Sequence, residues 1–317
     1  MLPVIAEVVR SGFVEGHHHG SVVALDPDHH VVYERGEVGT TVLPRSCNKP
    51  LQALALLRAG LDLDGELLAL ACASHSGEPF HLDGVRRILA GADLDESALR
   101  TPPDWPLDDE ARDDVVRRGG TKTPIQMNCS GKHAAMLVTC VRNGWPIDDY
   151  RDPAHPVQQA VLATFTELTG EPVGHVATDG CGLPLLGTSL RGLARAFSEL
   201  ATSNRPEERR VAAAIRNHPE YVSGTRRDER TLLGAIPGAI AKAGAESCYV
   251  LALADGRAYA LKTDDGAPRA RRVVMAGLLR HLGVDSEPGV DTEAVRQTGA
   301  APLLGGDAVV GEIRPVL

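Results

Sequence analysis

Ser46 stands three residues before Lys49 in the run Arg45-Ser46-Cys47-Asn48-Lys49-Pro50. On a helix such residues share a face, with Cβ atoms roughly 5–6 Å apart. A lysine amine that is desolvated or crowded by another cation gives up its proton more readily. It can then take the proton of a neighbouring hydroxyl and make that oxygen a nucleophile. Backbone N–H groups at the helix start would stabilise an oxyanion. The chain has 13 Ser and five Lys, so chance alone supplies roughly 0.2 Ser-x-x-Lys pairs, and one occurrence is only suggestive. The bland reading is a serine cap on a helix with a surface lysine, and Pro50 in the first turn suits either.

Cys72-Ala73-Ser74-His75-Ser76-Gly77-Glu78 concentrates small residues and titratable ones after an apolar helical run. Such a turn allows backbone to approach a ligand closely, although a polar helix C-terminus would look the same. Lys262 ends the apolar run Ala258-Tyr259-Ala260-Leu261. A lysine at a strand end resembles the Lys-Thr-Gly element of serine penicillin-recognising enzymes, but also ordinary protection of a sheet edge.

Cys129 opens a helical pattern in Asn128-Cys129-Ser130-Gly131-Lys132-His133, where a helix start lowers a thiol pKa. A second thiol follows in Thr178-Asp179-Gly180-Cys181-Gly182. Two thiols with Asp179, Lys132 or His133 satisfy the donor types of tetrahedral zinc. The spacing is not that of a Cys-x-x-Cys ribbon, so buried free cysteines are the default. The glycine pattern rules out a phosphate-binding P-loop. His17-His18-His19 is expected in a solvated loop, since consecutive extended residues point to opposite faces and cannot converge on one ion.

Lysine usage sharpens these choices. Of 33 Lys plus Arg only Lys49, Lys122, Lys132, Lys242 and Lys262 are lysine. Arginine serves wherever any surface cation will do, and lysine alone can be shifted to act as base or ligand. Lys122 and Lys242 are read as solvated remainders.

The elements that must hold these groups fall into a pattern. Residues 4–10, 21–26 and 30–34 read as strands, with turn chemistry at Pro27-Asp28. A helix is expected from Ser46 until Gly60, then helices near 64–73, 82–90, 109–118, 131–143, 156–169, 187–202 and 206–217. Cys248 to Leu253 and Arg257 to Thr263 form a hairpin around Asp255-Gly256, and a helix follows near 268–282. The expected fold class is therefore α+β: an antiparallel sheet from both chain ends flanked by helices, with a central helical lobe. One catalytic unit of residues 1–317 is expected, with a discontinuous sheet lobe (about 1–45 and 235–317) and a helical lobe (about 46–234).

Composition excludes other classes. At 43% hydrophobic and 24% charged residues the chain is globular. A net charge of −9 without a basic block argues against nucleic acid. No apolar run is long enough to span a membrane, and no signal peptide is visible. Six scattered cysteines then suggest reduced thiols and a cytoplasmic protein. No dinucleotide-type glycine motif follows a strand, so no organic cofactor is expected.

Taken together these segments resemble the asparaginase II family of rhizobial-type L-asparaginases. The matching pieces include Arg45-Ser46-x-x-Lys49-Pro50, Cys72-Ala73-Ser74-His75-Ser76, Asn128-Cys129-Ser130-Gly131-Lys132-His133, Thr178-Asp179-Gly180-Cys181, His218-Pro219-Glu220-Tyr221-Val222-x-Gly224 and Leu261-Lys262-x-x-Asp265-Gly266. The resemblance implies a serine β-lactamase-like and glutaminase-like fold, a homodimer, and hydrolysis of L-asparagine to L-aspartate and ammonia. It also implies two pairs, Ser46 with Lys49 and Ser74 with Lys262, and zinc on Cys129, Lys132 and Cys181. Arg45, His133 and Asp179 are the substrate-binding candidates. The charged stretch Thr225-Arg226-Arg227-Asp228-Glu229-Arg230 departs from the family pattern, which bears on substrate affinity or on the local loop. Rival readings are a glutaminase, a β-lactam-recognising serine hydrolase, and a zinc-stabilised binding domain without catalysis.

Overall fold

The computed structural model describes all 317 residues, Met1–Leu317. The chain opens with β1 (Val4–Arg10), β2 (Phe13–Leu25), β3 (Val31–Arg35) and β4 (Thr41–Val42). Six helices follow: α1 (Lys49–Arg58), α2 (Gly65–Ala71), α3 (Pro79–Ala90), α4 (Asp109–Arg117), α5 (Ser130–Asn143) and α6 (Pro156–Thr169). Then come β5 (His175–Thr178), β6 (Pro184–Ser189), α7 (Leu190–Thr202), α8 (Pro206–Asn217), α9 (Pro219–Val222) and α10 (Asp228–Ala235). The last part holds β7 (Ile240–Ala243), β8 (Cys248–Ala252), β9 (Ala258–Thr263), α11 (Pro268–His281), α12 (Thr292–Gly299), β10 (Pro302–Gly305) and β11 (Ala308–Pro315).

The chain divides into two compact units. The sheet unit comprises residues 1–47, 188–202 and 231–317. Its strands run in the order β10-β11-β1-β2-β9-β8-β7, with β3 also on β2, and every pairing is antiparallel. The two chain ends meet directly, Ala6 opposite Pro315 and Arg10 opposite Gly311. The fold class read from the sequence is thus seen: an antiparallel sheet built from both ends, with helices against it. β7, β8 and most of β9 are buried on both faces, and Cys248–Ala252 and Ala258–Leu261 read as continuous apolar runs.

The helical unit comprises residues 48–187 and 203–230. α5 is its axis: every residue from Ser130 to Cys140 is buried, polar ones included. α1 is nearly as deep, buried from Lys49 to Leu57, and Pro50 in its first turn gives up an N–H that has no intrahelical acceptor.

Three sequence expectations need correction. The helix expected over 187–202 begins at Leu190, because Thr188 and Ser189 pair with Val42 and Thr41 and the Ser189 hydroxyl accepts the Gly192 N–H at 2.9 Å. This stretch also groups with the sheet, since α7 packs its apolar face, Leu193, Ala196 and Phe197 among others, on β2, β8 and β9. His17–His19 lie not in a loop but in β2 opposite β1, and His18 is buried. Lys242, read as solvated, is wholly buried in β7.

Gly20 shows how tightly β2 meets β9. A Cβ there would stand 2.3 Å from the Lys262 carbonyl oxygen and 2.6 Å from Ile5 Cδ1, whereas at Gly16 on the same strand it would meet nothing. Gly20→Ala is expected to destabilise by about 1–3 kcal/mol, as overpacking does. Gly16→Ala should stay within about 0.5 kcal/mol. Urea midpoints of the two variants check this, and equal midpoints would refute it.

Candidate active site

Within the helical unit the central group is the Lys49 amine. It sits at the first residue of α1, 1% exposed, in a region otherwise lined by aliphatic helices. Nζ lies 2.6 Å from the Ala73 carbonyl oxygen, 3.4 Å from the Asn128 carbonyl oxygen and 3.0 Å from Ser74 Oγ. Two carbonyls can only accept, so they fix two N–H bonds of the amine. The remaining direction faces a hydroxyl, which accepts from an ammonium or donates to a neutral amine. This is the geometry of a proton transfer between serine and lysine. Ser74 itself is held by its N–H donating to the Val222 carbonyl.

Behind this pair lies a buried histidine chain. The Ser130 hydroxyl donates to the Ile125 carbonyl at 2.7 Å, so it accepts from His75 Nε2–H at 2.8 Å. That leaves His75 Nδ1 unprotonated and without a partner. Burial, then the charges of His81 and Lys49, hold the His75 pKa well below its ordinary value. His81 stacks on it at 5.3 Å, donates to the Glu220 carbonyl, and is lowered by burial to about 4. The His75 N–H donates to the same Asn128 carbonyl that receives Lys49. Both imidazoles are therefore neutral and act as rigid supports for the turn carrying Ser74.

Two turns of sequence further, α5 brings Lys132 beside the thiols. Lys132 Nζ is 3.4 Å from Cys181 Sγ, and Cys181 Sγ is 3.8 Å from Asp179 Oδ2. A hydrogen bond with Cys129 lowers the Cys181 thiol to about 5, while the same bond and burial push Cys129 up to about 12. The two sulfurs thus share one proton. Burial alone would lower the Lys132 pKa, but the two sulfurs and Asp179 outweigh it and raise it. Soft sulfur, a nitrogen and a nearby carboxylate suit zinc by donor type. No three His, Cys, Asp or Glu side chains are placed to hold a metal ion, so such a site depends on Lys132 as its third donor. His133, next on the helix, accepts from or donates to Tyr150 Oη at 2.6 Å; burial lowers it to about 3, and its buried Nε2 has no partner.

The sheet unit holds the other candidates. Arg45 and Ser46 lie in a 3₁₀ turn, Arg45–Asn48, so the helix expected from Ser46 starts at Lys49 instead. Arg45 has φ +53°, a left-handed conformation uncommon away from glycine, and Glu246 and Ser247 share it. Arg45 Nη1 approaches Glu246 Oε1 at 3.8 Å. Arg45, Glu246 and Lys262 line one cavity of about 580 Å³ with Ser21, Glu37 and Asp264. Backbone strain gathered around a cavity is a mark of functional sites. Lys262 is half-buried and its Nζ meets the Thr263 carbonyl at 2.5 Å.

Sequence reasoning pairs Ser46 with Lys49 and Ser74 with Lys262; within the helical unit the Ser74 hydroxyl also meets the Lys49 amine. It passes over Lys242. That residue donates to the Ala243 carbonyl at 3.0 Å, and its own carbonyl accepts from Cys47, the neighbour of Ser46. A Cβ on Gly244 would stand 2.5 Å from the Pro44 carbonyl oxygen and 3.2 Å from Cys47 Sγ, so the turn carrying Ser46 packs on this strand end. All six cysteines are free and buried.

The family model for L-asparaginase II matches residues 6–315. Similar solved structures include a β-lactamase from Mycobacterium bovis, 15% identical, with 88% of this chain and 96% of that one covered at TM-score 0.45. Another is a Bacillus glutaminase, 10% identical, with 85% and 91% covered at TM-score 0.46. No curated protein matches the sequence. No helix is long and apolar enough to cross a membrane.

The neutral histidines carry a pH consequence. An unfolded histidine binds a proton near 6.5, whereas His81 in the fold does so only near 4. Between those values the unfolded chain holds more protons, so stability falls as pH is lowered from 6.5 to 4. At about 1.4 kcal/mol per pKa unit the loss from His81 is about 3 kcal/mol. His81→Gln, which keeps a donor for the Glu220 carbonyl, should flatten that part of the stability profile. Denaturation midpoints of both proteins at several pH values measure it, and parallel profiles would contradict it.

Proposed function

Because the chain belongs to the L-asparaginase II family and is an amidohydrolase acting on a small molecule, we propose that it hydrolyses the side-chain amide of L-asparagine to L-aspartate and ammonia. The observation that carries this reading is the Lys49 amine, dry, fixed by two carbonyls and facing the Ser74 hydroxyl at 3.0 Å. Amide hydrolysis needs a nucleophile stripped of its proton and an acid for the departing nitrogen. A serine–lysine pair supplies both, taking the proton first and returning it later.

In this scheme Ser46 Oγ attacks the carboxamide carbon as its proton passes to Lys49, three residues on in the chain. The C–N bond breaks, the same proton goes to the leaving nitrogen, and ammonia departs from a β-aspartyl ester. Water then adds to the ester carbon and returns a proton to the Ser46 oxygen as the ester bond breaks. The second lysine of the scheme is Lys262, the partner that the family resemblance gives Ser74; it lines the cavity that also holds Arg45. Cys129, Lys132 and Cys181 would hold zinc. Bound there, the ion supplies positive charge that orients an amino-acid head group, and two thiolates make it a weak Lewis acid.

Ammonia release from asparagine, with mass spectrometry of the intact protein during turnover, tests the reaction. Ser46→Ala should abolish both turnover and the aspartyl adduct. Ser74→Ala and Lys49→Met should each slow acylation by roughly 10²–10⁴-fold, the worth of a positioned proton carrier. Lys262→Met should slow turnover over the same range. Glutamine should be cut roughly 10–200-fold less efficiently, since one methylene discriminates little more than that. Wild-type rates in both serine variants would end the scheme.

The metal is tested separately. Stripping zinc, or Cys181→Ser, should raise KM for asparagine at least tenfold and lower the melting temperature, with a smaller change in kcat. Elemental analysis of the protein as isolated should find about one zinc per chain if the three donors act together. Loss of kcat at unchanged KM would assign the metal to the bond-breaking step instead.

A further inference from the structure

The charged stretch after Gly224 has a role that the reaction scheme does not use. The turn Ser74–Glu78 is held at three points by other parts of the helical unit. Ser74 N–H donates to the Val222 carbonyl, and Asp108 N–H donates to the Ser76 carbonyl. The Glu78 carboxylate accepts from Thr225 N–H at 2.9 Å and from Thr225 Oγ1–H at 2.7 Å. Glu78 is only 8% exposed, and a buried carboxylate needs such donors. Between them Gly224 has φ +151° and lies flat on Ser76. A Cβ there would stand 2.0 Å from Ser76 Oγ and 2.9 Å from Glu78 Oε1.

One residue further, Arg226 closes a two-pronged bond on Asp108, Nε to Oδ2 at 3.0 Å and Nη2 to Oδ1 at 2.5 Å, and reaches Glu110 at 3.2 Å. Asp108 also caps α4 by accepting the Ala111 N–H. Arg226 is therefore no idle surface charge. It ties the segment 222–226 to the residue that holds the far end of the Ser74 turn.

We propose that Thr225 and Arg226 are positioning residues for Ser74, latching onto Glu78 and Asp108 so that the turn presents the Ser74 hydroxyl to Lys49 Nζ. The proposal rests on the reading of Ser74 and Lys49 as the proton-transfer pair. A slack turn lets the hydroxyl drift from the amine, and proton transfer depends steeply on that placement. Substrate binding, by contrast, is left alone, so the loss appears in kcat and not in KM.

Asp108→Asn isolates the latch, because asparagine caps a helix as well as aspartate does while losing the charge. Asp108→Asn and Arg226→Gln should each lower kcat for asparagine roughly three- to fivefold, the scale of a half-exposed ion pair. The double variant should lose no more than either alone, since both remove one interaction. Arg226→Lys should recover only part, lacking the two-pronged fork. Raising salt should lower wild-type kcat and leave the Arg226→Gln value unchanged. A general loss of fold would instead show as additive effects, a shared fall in melting temperature and no salt difference, and would overturn the proposal. Wild-type kcat in both latch variants, with Ser74→Ala inactive, would overturn the latch while keeping Ser74's role. Full activity in Ser74→Ala would overturn the reading of Ser74 and the latch with it.

Discussion

A lysine amine cannot be taken from water unless something accepts each of its hydrogens. Around Lys49 that requirement organises the helical unit. The Ala73 and Asn128 carbonyls that serve it belong to the end of α2 and the start of α5, so satisfying one nitrogen brings those two segments to α1. The cost of an unpaired buried cation is several kcal/mol, larger than any single apolar contact nearby. The arrangement therefore tolerates little drift. The third direction of the same nitrogen is then left for Ser74, and a structural necessity becomes a chemical device.

The same electrostatic pressure explains the neighbouring groups. Burial comes first: an imidazolium enclosed among these helices would lose its hydration. His75, His81 and His133 answer by staying neutral, each with one ring nitrogen bonded and the other free. The sulfurs answer the other way: the bond with Cys129, and then the charge of Lys132, draw Cys181 toward thiolate, and Cys129 keeps the proton. A thiolate next to an ammonium is a stored pair of opposite charges, each justified by the other. A divalent cation that displaced protons from both Lys132 and Cys129 would inherit a donor set already gathered.

Much of the fold was legible in the sequence because its signals are local. Alternation and continuous apolar runs marked β1, β8 and β9, Asp255-Gly256 marked their hairpin, and period 3.6 marked most helices. What was not legible depended on partners distant in sequence. β6 reads as the start of a helix because nothing local reveals that Thr188 and Ser189 pair with residues near 41. β10 and β11 escaped notice as a hairpin, since Gly305-Gly306-Asp307 interrupts two weak runs. His17–His19 read as a loop because nothing in the run itself shows a partner, yet β1 supplies the ladder and Asp265 and Arg269 supply bonds to His18. Composition and spacing mark the lysines and serines of the candidate site, whereas the Lys49–Ser74 contact depends on the fold bringing α1 to the turn after α2.

The lysines show how far a compositional argument reaches and where it was applied unevenly. A chain that spends arginine on its surface keeps lysine for places where arginine fails. Lys49, Lys132 and Lys242 are all buried, Lys262 is half-buried in a cavity wall, and Lys122 alone is an exposed partner of a surface carboxylate, Asp104. Lys242, against that rule, is read from the sequence as a solvated remainder. That is the wrong inference physically. A lysine inside an apolar strand, followed by a glycine that lets Pro44 and Cys47 come close, has its amine enclosed by the fold and must find acceptors there. An amine so placed, next to the turn that carries Ser46, is under the same constraint as Lys49: its hydrogens need acceptors inside the protein.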